Sequence, residues 1–128
     1  MNSRHGPIRV LLIEDEPLDA RLVRIQLCPT QPSALDLVHV DTLSGALDLL
    51  RTERFDVILL DLGLPDSCGT SALDRLGDAT PVIVLSGQEM GELRELVRGR
   101  PSTTCLSKCD LEGLPDAVKT AARGAGHA

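Results

Sequence analysis

The chain contains no tryptophan and no tyrosine, and Phe55 is its single aromatic residue. Its core must therefore be aliphatic, built from Leu, Val, Ile and Ala, and it offers no rings on which nucleic-acid bases could stack. Basic charge is also short. Formal net charge is −6 and no basic stripe offsets it, so nucleic acid is set aside as a direct partner. Long hydrophobic runs are missing as well. The longest are four residues, such as Val57-Ile58-Leu59-Leu60, well under the ~20 needed to cross a bilayer as a helix. Met1 to Pro7 is polar and leads into no apolar stretch of signal-peptide length. The expectation is a cytoplasmic chain without a membrane partner. Cys28, Cys68, Cys105 and Cys109 form no CxxC pair and join no histidine cluster, which points to reduced thiols rather than a disulfide framework or a zinc site. No GxGxxG follows the first apolar run, which argues against flavin or dinucleotide binding.

What is present is a regular alternation. With 128 residues one domain is expected, read here as residues 8–123 between a flexible start (1–7) and a frayed tail (124–128). Val10 to Ile13, Val57 to Leu60 and Val82 to Leu85 are short, aliphatic and bounded by polar residues, as strands covered on both faces are. Leu35 to Val40 and Thr103 to Leu106 are more polar and suit sheet edges. Helical spacing fills the gaps: Leu18, Leu22 and Ile25; Leu43, Ala46, Leu47 and Leu50; Leu73 and Leu76; Leu93, Leu96 and Val97; Leu114, Val118 and Ala121. Pro17 and Pro115 fall where a first helical turn tolerates them. Strand and helix thus alternate five times. The predicted fold is α/β, a doubly wound five-stranded parallel sheet of order 2-1-3-4-5, flavodoxin-like, with ligands at the carboxyl ends of its strands.

Those ends carry the chemistry. The first strand runs into Glu14-Asp15-Glu16, the third into Asp61, the fourth into Ser86-Gly87 and the fifth into Lys108. Each feature alone is ordinary in a loop; their placement at four strand ends brings them to one crevice. Glu14, Asp15 and Asp61 supply three negative charges against the one of Lys108. Clustered carboxylates repel unless a cation intervenes. Mg²⁺ suits oxygen ligands and needs only one or two carboxylates besides phosphate oxygens. A site with Mg²⁺, a lysine and a hydroxyl suits a phosphoryl group, and the Asp61 carboxylate is a nucleophile able to accept it.

On these residues the chain resembles bacterial response-regulator receiver domains of two-component systems, the CheY-like family. The matching stretches are Val10 to Pro17, Asp56 to Asp66, Pro81 to Gly87 and Leu106 to Lys108. The resemblance implies that Asp61 is the phosphoacceptor, fed by a sensor histidine kinase or a histidine phosphotransfer protein. It implies that Glu14 and Asp15 hold Mg²⁺, with Asp15 the direct ligand of the pair, and that Asp61 and the backbone carbonyl of Gly63 join them. Lys108 would bind the phosphoryl group, and Ser86 would give it a hydroxyl hydrogen bond. Output would pass through the face made by the fourth helix, fifth strand and fifth helix to a downstream protein, with a second copy of the chain as a candidate partner. Such a domain is a signalling phosphoacceptor that catalyses only its own phosphorylation and dephosphorylation, not a free-standing enzyme.

The sequence departs from the family's pattern in three places. Cys105 stands where the family usually has Tyr or Phe, and a thiol cannot fill a ring-sized cavity. Cys109 replaces the Pro that often follows the lysine, so a trans bond is expected there. Pro101-Ser102 replaces a common Gly-Ala and suggests a shortened or bent end to the fourth helix. The first departure motivates an alternative: a receiver-like interaction module that no longer switches. An aspartyl-intermediate phosphatase is disfavoured, because the position two after Asp61, where that class places a carboxylic acid, is Gly63.

Overall fold

The computed structural model describes residues 7–27, 35–62, 64, 70–77, 79–87, 94–95, 97–100 and 102–125. Within them lie five strands, β1 (Ile8–Ile13), β2 (Leu35–Val40), β3 (Val57–Asp61), β4 (Val82–Ser86) and β5 (Thr103–Ser107). All neighbouring pairs are parallel and the order is β2-β1-β3-β4-β5, as the sequence predicts. The two polar strands are the edges.

Alternation along each central strand divides the core in two. Leu11, Ile13, Ile58, Leu60, Val82 and Val84 point to one face, against Leu43 and Ala46 of α2 (Leu43–Leu50) and Ala72 and Leu73 of α3 (Thr70–Leu76). Val10, Leu12, Val57, Leu59, Ile83 and Leu85 point to the other, against α1 (Pro17–Leu27) and the C-terminal helix α4 (Leu114–Ala125). Period-two side chains with apolar contacts on both faces are what a sandwiched parallel sheet demands. Thr42 caps α2, its Oγ1 accepting from Gly45 N at 3.0 Å. Gly77 ends α3 at φ +73, a left-handed conformation that glycine adopts without cost, and its N donates to Leu73 O.

One helix is oriented differently from what its largest residues suggest. Leu18, Leu22 and Ile25 form a helical stripe, but they are 64%, 45% and 60% exposed. Ala20, Val23 and Leu27, an interleaved stripe of smaller residues, are the ones buried on the sheet. Small Ala20 packs into the core cluster on this face, and the bulkier stripe is left facing outward.

The fourth helical pattern falls largely outside the described residues; Arg94, Glu95 and Val97 are helical. Its end tightens into i→i+3 bonds, Arg98 N to Glu95 O and Arg100 N to Val97 O, ahead of β5. The Lys108–Cys109 bond is trans, as are all the described peptide bonds. A 3₁₀ segment, Lys108–Gly113, links β5 to α4 and is capped by Ser107, whose Oγ accepts from Cys109 N at 3.0 Å. The α4 helix reaches Ala125, two residues into the stretch read as a tail. Residues 1–6 and 126–128 lie outside the described residues, as do Cys28 and Cys68. Cys105 and Cys109 are free thiols, one half-buried and one exposed. No helix among the described residues is long and apolar enough to cross a membrane.

The two ends of the sheet differ in kind. At the amino end Arg9 bonds Asp36, Glu53 and the Arg54 carbonyl and lies 4.6 Å over the Phe55 ring, while Asp56 accepts from Arg9 N. Arg9, Asp36, Glu53 and Asp56 are thus all partnered, which makes a structural clasp. At the carboxyl end the acids outnumber the bases.

Candidate functional site

Parallel register carries three predicted residues to one place. β1 and β3 align Ile13 with Leu60, so Glu14 and Asp61 follow as neighbours. β3 and β4 align Asp61 with Leu85, so Ser86 comes one residue further along the adjoining strand. Ser86 itself aligns with Ser107, directly before Lys108. Glu14, Asp61 and Ser86 are the buried polar side chains among the described residues, at 0%, 5% and 4% exposure. In a domain of this size buried carboxylates need a reason.

Lys108 is the local compensation. Its Nζ lies 2.9 Å from Asp61 Oδ1 and 3.1 Å from Glu14 Oε1. A third acid, Asp19 in the first turn of α1, accepts a hydrogen bond from Nζ at 2.7 Å. Burial disfavours the lysine's charge, but the neighbouring carboxylates of Asp19, Asp61 and Glu14 outweigh that and push its pKa up.

Glu14 is held from several sides and still left wanting. Its N donates to Val40 O, its carbonyl is bonded by His39 Nε2 at 2.8 Å, and its Oε2 accepts from Glu16 N at 3.2 Å. Its Oε1 is buried and accepts no hydrogen bond among the described residues, the nearby ammonium being poorly aligned for one. Burial, followed by the adjacent Asp61 carboxylate, raises the Glu14 pKa from 4.5 to about 7, with Lys108 pulling the other way.

This arrangement is what a hard divalent cation resolves. Glu14, Asp15 and Asp61 each offer an oxygen, and these oxygens lie within 4.8 Å of one another. Asp15 is exposed, so the trio opens to solvent on one side. An all-oxygen donor set, a buried oxygen lacking a donor and an unblanced negative charge fit a divalent metal ion. Gly63, the fourth expected ligand, lies outside the described residues.

The structure therefore brings Glu14, Asp15, Asp61, Ser86 and Lys108 to the same end of the sheet. Sequence reasoning missed Asp19 and His39. Asp19 carried a weak signal, since an acid one helical turn after Asp15 faces back toward the strand ends. His39 sits in an edge strand, and only the β1–β2 register, which aligns it with Leu12, reveals its reach to Glu14.

Known proteins share this sequence pattern and this fold. The sequence pattern of the response regulator receiver domain matches residues 10–119. The cell cycle response regulator CtrA of Brucella ovis is 35% identical over 95 residues, covering 72% of this chain and 39% of CtrA. The chain thus spans well under half the length of the curated relatives it matches. Among solved structures, the signal receiver domain of a Vibrio parahaemolyticus protein described as a Luxo repressor superposes with a TM-score of 0.80 at 26% identity, covering 93% of this chain and 92% of that one. The Mn²⁺-bound form of response regulator Rcp1 gives 0.68 at 26%, covering 91% of each.

Proposed function

Because the chain belongs to the response-regulator receiver family, we propose that it is a phosphorylatable switch in which Asp61 accepts a phosphoryl group from a phosphohistidine with the help of Mg²⁺. The observation that carries this reading is the meeting of Asp61, Glu14 and Lys108 within 3.1 Å contacts at the ends of three different strands. A purely structural module has no need to bury two carboxylates side by side.

In the proposed reaction an Asp61 oxygen attacks phosphorus, a P–O bond forms, the P–N bond to the donor histidine breaks, and the neutral imidazole leaves with a proton from solvent. Mg²⁺, held by Asp15, Asp61 and the Gly63 carbonyl with Glu14 beside them, would offset charge on the phosphoryl oxygens. Lys108, 2.9 Å from Asp61 Oδ1, supplies the second cation. Ser86, buried on the strand next to Asp61, supplies a hydroxyl donor to the same group. The bias this creates between two conformations is the signal. A Mn²⁺-bound form of a similar receiver supports the metal's place in the reading.

The donor must reach Asp61 over the open side of the site. The outward stripe Leu18, Leu22 and Ile25 of α1 begins beside Asp19 and gives a helical partner, such as a kinase or phosphotransfer bundle, an apolar face to lie on. Such a partner lives in the cytoplasm, which is where we place this chain. Output then runs through binding of a downstream protein or a second copy, by an element other than an aromatic at position 105.

Incubation with acetyl phosphate and Mg²⁺ tests the reading. The wild type should gain about 80 Da and Asp61→Asn nothing, because an amide is a poor nucleophile. An unmodified wild type would favour the non-switching module instead.

A further inference from the structure

Building on that reading, we propose that Asp19 is a positioning residue for phosphoryl transfer, one that keeps the Lys108 ammonium beside Asp61 once a metal ion has taken over the carboxylates of Glu14 and Asp61. A lysine ammonium has three donors. Lys108 Nζ faces three carboxylates, with Asp19 the nearest at 2.7 Å, then Asp61 at 2.9 Å and Glu14 at 3.1 Å.

The three are not equivalent. Glu14 and Asp61 belong to the trio whose oxygens converge within 4.8 Å, and Asp19 does not. A divalent ion in that trio satisfies the charge that holds Lys108 there and repels the ammonium across a few ångströms of partly buried space. On a flexible four-carbon stem, the ammonium would then swing toward solvent. It stays only if an anion outside the trio retains it. Among the described residues that contact Lys108, Asp19 alone meets that condition. Its place in the first turn of α1 fixes it from a different element than the strand ends, and its side chain is one-third exposed, so it holds charge without needing a metal.

The test is a double-mutant cycle on the intact chain. Initial rates of modification by acetyl phosphate at saturating Mg²⁺ would be followed by mass spectrometry in the wild type, Asp19→Asn, Lys108→Ala and the double variant. Asp19→Asn should slow the wild type about fivefold and leave the Lys108→Ala chain unchanged, because Asp19 acts through the lysine. Asp19→Glu should recover part of the rate. A second readout needs no phosphorylation: the ¹H–¹⁵N signal of the Lys108 ammonium, sharp only while hydrogen-bonded, should survive Mg²⁺ in the wild type and vanish in Asp19→Asn. Equal slowing in both backgrounds, faster modification of Asp19→Asn, or an ammonium signal that persists without Asp19 would each overturn the proposal. If the wild type takes up no phosphoryl group at all, the proposed function fails, and the ammonium signal still decides the role of Asp19.

Discussion

Lys108 Nζ bridges Asp61 Oδ1 at 2.9 Å and Glu14 Oε1 at 3.1 Å, so a single ammonium joins the carboxyl ends of β3 and β1. Asp15, the third acid of the cluster, is exposed to solvent. A metal ion and the lysine would thus share the same buried carboxylates, and much of the domain's behaviour should follow from their competition.

The first consequence concerns pH. Glu14 has its pKa raised from 4.5 to about 7, so the folded chain binds this proton more tightly than the unfolded one. The group's contribution to stability is therefore complete below about 4.5 and is lost as pH rises through about 7. A metal ion must displace the same proton. Mg²⁺ affinity should climb toward about tenfold per pH unit below 7 and level off above it, as for any ligand that must deprotonate to bind. Calorimetric titration is the suitable probe, since the chain has no tryptophan or tyrosine to report binding. Glu14→Gln should flatten the profile; an equally steep profile in that variant would refute the assignment.

Removing the lysine should separate metal-free from metal-bound stability. Lys108→Met keeps most of the stem but leaves Glu14 and Asp61 facing each other. Metal-free stability should fall by about 1–3 kcal/mol, the cost of depriving buried polar groups of a charged partner. Mg²⁺ should bind the variant more tightly than the wild type and restore its melting temperature, because a competing cation is gone. Thermal unfolding by circular dichroism, with and without Mg²⁺, measures both.

The two stripes of α1 and the sheet beneath them should respond oppositely. Leu59→Ala, at a fully buried position, should cost about 2–5 kcal/mol. Leu22→Ser, 45% exposed, should change stability by no more than about 0.5 kcal/mol. The triple variant Leu18→Ser, Leu22→Ser, Ile25→Ser should accept phosphoryl groups from acetyl phosphate at the wild-type rate. It should lose most transfer from any histidine kinase that phosphorylates the wild type. Parallel loss from both donors would mean the stripe supports the site rather than the partner.

How far the sequence could be read follows from where its signals lie. The topology was legible because three contiguous aliphatic runs can only be strands covered twice, and because the two polar runs must then be edges. The candidate site was legible because Glu14, Asp15, Asp61, Ser86 and Lys108 each lie at the carboxyl end of a strand, where register converts chain position into spatial position. Asp19 was not, because it belongs to a helix whose tilt over the sheet no local pattern states. The facing of α1 was hidden for a related reason. Two apolar stripes interleave on it, and the bulkier one, which a hydrophobicity pattern favours, is the one left outside. His39 lies in an edge strand, and its use depends on a bond to the Glu14 carbonyl just past the end of β1.

The most direct test is a crystal structure of the chain grown with Mn²⁺ and beryllium fluoride, which mimics the phosphoryl group. The predicted result is an anomalous peak bonded to Asp15 and Asp61 oxygens, with the fluoride group on Asp61 contacted by Lys108 Nζ and Ser86 Oγ. A metal bound elsewhere, or an Asp61 side chain turned away from both Asp15 and Lys108, would contradict the account.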